Sequence, residues 1–237
     1  MNHTKIEWVK NPDLTQGFTA NPIRGKCLHN CHYCYAWSIY KRYGGRENMT
    51  WHPKVLEKIE QYKKPSTIFM GSMYDLFGDW VLKEYLLDIY KMVQKCQQHT
   101  FLFLTKNPTR YYLLSENNSF PTNCWFGITT DTANMAGTFT DNLCFMAGTY
   151  KYVSAEPLLE DISPYMDFDY IDWLIIGSLN KNGRAIPPKK GGTHKEWVLS
   201  LIEQADKYKI PIFIKDELLL LYPDLPKRKE IPYLKRK

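Results

Sequence analysis

A chain of 237 residues, 44% hydrophobic and 15% aromatic, can bury a sizeable core and reads as a soluble globular protein. Its six cysteines are too few and too unevenly placed for a disulfide scaffold, and no run approaches the roughly 18 uninterrupted apolar residues of a membrane span, so a disulfide-stapled secreted fold and an integral membrane protein are excluded. The net charge of +6 is local: residues 227–237, KRKEIPYLKRK, carry six Lys/Arg and one Glu, hence +5, and leave about +1 for the other 226 residues.

In chain order, MNHTKIEWVKNP at the N-terminus lacks the apolar stretch of a signal sequence, and the expected location is the cytoplasm. GFTANPIR (17–24) is the first predicted strand, and CLHNCHYCYAW (27–37) follows as a loop with three cysteines in eight positions that runs into a predicted helix. Further strands are predicted for STIFMG (66–71), TFLFLT (100–105), CWFGIT (124–129), YKYVSA (150–155), DWLIIG (172–177) and IPIFI (210–214). Between them, 79–96 places Leu82, Leu86, Ile89, Val93 and Cys96 on one helical face with Asp79 as N-cap, and 193–209 repeats the pattern with Trp197, Leu201 and Ile202 behind a Thr193 cap.

Most of these strands are continuously apolar, as parallel strands covered on both faces must be. Strand, helix, strand is the repeating unit, so the expected class is α/β, a partial (βα) TIM-like barrel with a mainly parallel sheet, preferred over a doubly wound sheet. The expected organisation is one domain over 1–226 and a basic tail over 227–237 that either contacts phosphates or is a solvated terminus. A monomer is expected.

In such a barrel, chemistry sits where loops leave the C-terminal ends of the strands, and Cys27, Cys31 and Cys34 occupy the first of these loops. Structural zinc takes four ligands, commonly in two pairs; no second pair is present, although His29 or His32 would supply a fourth ligand. A cubane iron–sulfur cluster on three protein thiolates keeps one iron open for a substrate or cofactor.

The Cys-x3-Cys-x2-Cys spacing with Tyr33 before the last cysteine resembles the signature of radical S-adenosylmethionine (SAM) enzymes. The resemblance implies a [4Fe-4S] cluster on Cys27, Cys31 and Cys34, SAM chelated by the open iron, reductive cleavage to methionine and a 5′-deoxyadenosyl radical, and an external electron donor of flavodoxin or ferredoxin type. The loop is especially similar to that of the spore photoproduct lyases, in which tyrosines also stand on both sides of the third cysteine; here they are Tyr33 and Tyr35, which become candidate catalytic residues. FMGSMYDLFGDW (69–80) and FLTK (103–106) resemble segments that meet the cofactor's amino and carboxylate groups, which implies cofactor roles for Gly71, Ser72 and Lys106. Ser72 falls where the lyases carry a hydrogen-donating cysteine, and a serine O–H bond is too strong to return a hydrogen atom to a carbon radical. Cys96 and Cys124 are read as core and strand-start residues and Cys144 stays open, so thymine-dimer reversal is not expected.

Blocks KIEW (5–8), GSMYDLF (71–77), LTKNP (104–108), EPLL (156–159), DWLIIG (172–177) and PIFIK (211–215) are also similar to a phage-associated family of radical SAM-like proteins, whose cysteine loop is often longer. At other predicted strand ends stand Asp75, Thr129, Asp131, Glu156, Ser178, Asn180 and Lys215. Asp75 and Glu156 are candidate catalytic carboxylates, and Thr129 and Glu156 candidate cofactor contacts. Trp8, Trp37, Trp51 and Trp125 are either base-stacking platforms or core. Two function classes stand: a radical SAM enzyme that modifies or repairs a substrate, with nucleic acid among the candidates, and a noncatalytic zinc or iron–sulfur module with a basic tail that contacts nucleic acid.

Overall fold

The continuously apolar runs are parallel strands, buried on both faces as their composition requires. The structure, a computed structural model, describes residues 1–44, 47–115, 120–141, 143–144, 146, 148–181 and 183–235. The chain forms two compact units, 1–126 and 127–237.

The first unit contains β1 (Asn2–His3), β2 (Phe18–Ala20), β3 (Ile23–Arg24), α1 (Tyr35–Arg42), β4 (Thr50–Trp51), α2 (Lys54–Gln61), β5 (Thr67–Met70), α3 (Lys83–Lys95), β6 (Thr100–Thr105) and the start of β7 (Cys124–Thr129). β2 pairs with β5 and β5 with β6 in parallel, Phe18 opposite Ile68 and Thr67 opposite Thr100, while β1 lies antiparallel to β2. Leu86, Ile89 and Val93 of α3 are buried, as their spacing predicts, and Cys96 follows them into the core. Trp8 and Trp125 are core as well, 1% and 2% exposed. Phe77, Tyr111 and Phe126 form an edge-to-face chain with centroids 4.5 and 5.0 Å apart.

Asp79 is not the N-cap of α3. The helix starts at Lys83 with Leu82 at the cap position, because the preceding turn is claimed elsewhere: Asn107 Nδ2 donates to Asp79 at 2.8 Å, and Arg110 donates to the carbonyls of Gly78 and Val81.

The second unit carries the rest of β7, α4 (Ala133–Asp141), β8 (Tyr150–Ala155), β9 (Trp173–Ile176), the hairpin β10 (Asn180–Lys181) and β11 (Arg184–Ala185), α5 (Lys195–Lys207), β12 (Ile212–Ile214) and α6 (Asp216–Leu221). β8 pairs with β9 and β9 with β12 in parallel. The strand order β1-β2-β5-β6-β7-β8-β9-β12 is one mainly parallel eight-stranded sheet, the α/β architecture of partial (βα) barrels. α5 buries Val198, Leu201, Ile202 and Ala205, while Trp197 stays half-exposed, its ring stacked on His194 at 4.3 Å. Thr193 does not cap this helix. His194 holds the N-cap position, and the buried Thr193 hydroxyl donates to Leu158 O at 2.8 Å and accepts from Leu179 N at 3.3 Å. Among the described residues no helix is long and apolar enough to cross a membrane.

The basic C-terminal segment is tied to this unit through Tyr233. Ile214 N donates to Arg228 O at 2.9 Å and Glu230 N to Ile212 O at 3.0 Å, so residues 228–230 run along the open edge of β12. The buried Trp173 indole donates to Glu230 O at 2.9 Å, and its ring meets Tyr233 edge-on at 5.6 Å. Arg228 pairs with Asp206 and Glu230, and Lys229 with Asp216. Arg236 and Lys237 lie outside the described residues. Deleting residues 227–237 strands the Trp173 N–H and the Ile212 amide, and is expected to lower unfolding stability by about 2–4 kcal/mol. Deleting 234–237 alone leaves it within about 0.5 kcal/mol. Urea denaturation of both truncations measures the difference.

Candidate functional site

The cysteine loop is anchored before its first thiol. β3 pairs antiparallel with β4, Lys26 N donates to Glu47 O at 2.9 Å, and Gly25 takes φ +132°, where a Cβ would lie 2.7 Å from Asn48 O. Two tight turns then follow, Asn30 N to Cys27 O at 3.3 Å and Cys34 N to Cys31 O at 3.1 Å, and Cys34 becomes the N-cap position of α1. Cys27, Cys31 and Cys34 are half-buried cysteines outside any disulfide, and all three line one concavity together with Trp37, Tyr40 and Met73.

Burial pushes the Cys27 thiol up to about 11, against hydrogen bonds from the backbone N–H groups of Asp75 and His29 that favour its thiolate. Such N–H···S bonds are the arrangement that supports a metal-bound thiolate. Among the described residues no three His, Cys, Asp or Glu side chains converge on a point that would hold a single metal ion, and His29 Nε2 is engaged with Asp75 Oδ2 at 2.7 Å. An iron–sulfur cubane takes each thiolate on a separate iron, so a set of three soft donors spaced around one concavity fits it better than it fits tetrahedral zinc.

Against this loop packs the turn after β5. Gly71 sits at φ +78°, its N–H donating to Ala20 O at 2.8 Å, and a Cβ there would meet Leu76 Cγ at 2.7 Å and Tyr74 O at 2.8 Å. Asn21 holds the turn from the end of β2: its Oδ1 accepts from Met73 N at 2.9 Å and its Nδ2 donates to Ser72 Oγ at 3.1 Å. Tyr35 OH donates to Ser72 O at 2.5 Å. The Asp75 carboxylate accepts from Thr105 Oγ1 at 2.7 and 2.9 Å, from Lys106 N at 2.9 Å and from Phe77 N at 2.9 Å, besides its contact with His29. Lys106 Nζ stands over the Tyr33 ring, 5.6 Å from its centroid. Tyr33, Tyr35, Gly71, Ser72, Asp75 and Lys106 are thus gathered around the three cysteines, joined by Asn21, His29 and Thr105, which sequence reasoning had not assigned these roles. Asn21 carried a usable signal, being a polar residue directly after an apolar strand.

In the second unit, Thr129 ends β7 and Asp131 follows it, both buried, as is Ser178 after β9, whereas Asn180 is exposed on the β10–β11 hairpin. Lys215 Nζ lies 3.7 Å from Glu156 Oε1 and 3.3 Å from Glu217 Oε1, an ion cluster with each side chain at most about one-fifth exposed. Gly177 makes room for it: a Cβ there would sit 2.9 Å from Glu156 Cγ and 3.0 Å from Lys215 Cδ. Glu217 is the member that sequence reasoning missed. Of the other cysteines, Cys96 and Cys124 are buried, with thiols raised by burial, and Cys144 is half-buried.

The profile of the family described as "Protein of unknown function (DUF5131)" matches residues 3–217. The chain belongs to this family. No curated protein matches it. Among solved structures, a Cys-to-Ser variant of spore photoproduct lyase superposes with TM-score 0.52 at 12% identity, over 83% of this chain and 75% of that one. A double variant of the same enzyme with bound AdoMet and dinucleoside spore photoproduct gives 0.54 at 11%, over 90% of this chain and 80% of that one. At such identity the likeness of the DUF5131 chain to these enzymes is one of fold.

Asp75→Ala leaves Thr105, His29 and two backbone N–H groups without their acceptor and is expected to cost about 2–4 kcal/mol. Asp75→Asn, which keeps one acceptor oxygen, is expected to cost less. Urea denaturation at neutral pH measures both.

Proposed function

We propose that this protein is a radical SAM enzyme that modifies or repairs its substrate. The observation that carries the reading is the set of three cysteines, Cys27, Cys31 and Cys34, on the loop after the first parallel strand, lining one concavity beside the Gly71–Asp75 turn. The residues present suit a [4Fe-4S] cluster on these thiolates, and such a cluster with bound SAM supplies reductive cleavage to methionine and a 5′-deoxyadenosyl radical.

The chain's own part is to bind and orient. Gly71 keeps the backbone bare where an ammonium group approaches, and Asn21 and Tyr35 fix that turn. Lys106 offers the counter-charge for the cofactor carboxylate, with Tyr33 beneath it. Asp75, its oxygens occupied by five contacts, is a positioning residue rather than a proton carrier. Thr129 and Glu156 serve cofactor or substrate hydroxyls, with Lys215 Nζ 3.7 Å from Glu156 Oε1. An external flavodoxin- or ferredoxin-type protein delivers the electron, in the cytoplasm. The structural neighbours support a repair-type chemistry, and the blocks shared with phage-associated radical SAM-like proteins support the same cofactor. Ser72 at the donor position makes thymine-dimer reversal an unexpected activity.

After anaerobic reconstitution, the wild-type chain and Cys96→Ala are expected to hold about four irons with broad brown absorbance, while Ala at Cys27, Cys31 or Cys34 loses the stable cluster. Retention of the full spectrum in all three variants contradicts the assignment. In the reconstituted protein Lys106→Ala is expected to raise the SAM concentration for half-maximal 5′-deoxyadenosine formation by about ten-fold or more, with little change in iron content.

A further inference from the structure

Residues 24–43 contain four Lys/Arg (Arg24, Lys26, Lys41, Arg42), five Tyr/Trp and no Asp or Glu. The fold sets Arg24 on β3, Lys26 on the loop that follows, and Lys41 and Arg42 on α1. Arg24, Lys41, Arg42 and Tyr43 are exposed, Tyr43 by 77%. Lys26 Nζ lies 4.8 Å and Lys41 Nζ 5.4 Å from the Trp37 ring centroid. Several cations elsewhere find carboxylates: Lys64 with Asp13, Lys95 with Glu60, Lys195 with Asp224, and Arg228 and Lys229 of the basic tail with Asp206 and Asp216. Among the described residues no ion pair engages Arg24, Lys26, Lys41 or Arg42. The tail holds more positive charge by count, but its Arg228 and Lys229 are paired with carboxylates, whereas Lys26 and Lys41 stand beside an indole.

Two features decide what such a face fits. Trp37 does not stand proud of the surface; it lines the same concavity as Cys27, Cys31 and Cys34, so its partner has to be narrow enough to enter. A lipid interface is met by an apolar helix face that enters it, which a recessed indole does not offer, and an acidic protein surface would engage the lysines without the ring. An unpaired strand of nucleic acid matches on both counts, with flat bases that stack on aromatic faces and phosphates that pair with lysine and arginine.

We propose that α1 and the cysteine loop form a binding face for single-stranded nucleic acid, with a base stacked on Trp37 and phosphates on Arg24, Lys26, Lys41 and Arg42. Nothing in this surface depends on bound iron. The strand it holds has one base at the concavity that the three cysteines line.

The test is fluorescence anisotropy of a labelled oligodeoxythymidylate of about 12 nucleotides with the full-length chain, titrated from about 50 to 200 mM salt. Wild type is expected to bind with affinity that falls steeply with salt. Lys26→Gln/Lys41→Gln/Arg42→Gln is expected to lose about ten-fold or more, with the slope of log affinity against log salt reduced by about 2, since each phosphate contact on a single strand contributes roughly 0.7. Trp37→Leu is expected to lose about five-fold or more at unchanged slope, whereas Trp37→Phe, which keeps a stacking face, retains most of the affinity. Thermal melts matched to wild type qualify each variant. No binding at about 50 mM salt, a triple variant that binds like wild type, or a Phe variant as weak as the Leu variant overturns the proposal. Equal competition by polyglutamate at matched charge, with both Trp37 variants binding like wild type, also overturns it and assigns the face to an acidic protein.

Discussion

One carboxylate holds the first unit's functional loops in register. Asp75 reaches back to His29 in the cysteine loop, forward to Thr105 and Lys106 at the end of β6, and down to Phe77 in its own turn. Each of these segments is irregular backbone beyond a strand end, with no ladder of its own to fix it. A carboxylate with its lone pairs shared among such donors is the device that gives three loops one arrangement, and its near-burial makes the arrangement costly to leave. The Asp75 amide also donates to Cys27, so the residue that orders the loops touches the thiol chemistry directly.

Around that hub the distribution of charge follows function more than composition. The excess positive charge of the sequence is concentrated in residues 227–237, but the structure neutralises its first part with Asp206, Asp216 and Glu230 and uses its backbone to cover the edge of β12. A basic segment that covers a sheet edge is a structural element, and its salt bridges lie at a partly exposed rim where each contributes little. The cluster of Lys215 with Glu156 and Glu217 in the second unit is more sheltered, Glu217 being buried and the other two side chains about one-fifth exposed.

Much of the fold was legible in the sequence, and the reason is local. TFLFLT, CWFGIT and YKYVSA become β6, β7 and β8 to the residue, because a strand covered on both faces leaves an unbroken apolar run. Two-residue strands such as β3 and β4 leave no periodic trace. Both helix starts were misread for one reason: Asp79 and Thr193 are good capping residues by type, but Asn107 and Leu158, distant in sequence, take their side chains. The three cysteines were legible as one group because they stand within eight positions of a single loop, and Gly71 because close backbone approach imposes a residue. Asn21, His29, Thr105 and Glu217 were not, since their roles come from partners that only the folded chain brings near.

The central claim is that the open corner of the cysteine-held site is built for SAM. Electron paramagnetic resonance of the dithionite-reduced, reconstituted protein tests it most directly, because the signal of a reduced cluster responds to a new ligand on one of its irons. Addition of SAM is expected to shift the g-values and line shape in the wild-type chain, and to require more SAM in Lys106→Ala. An intact reduced cluster whose signal is identical with and without saturating SAM contradicts the account.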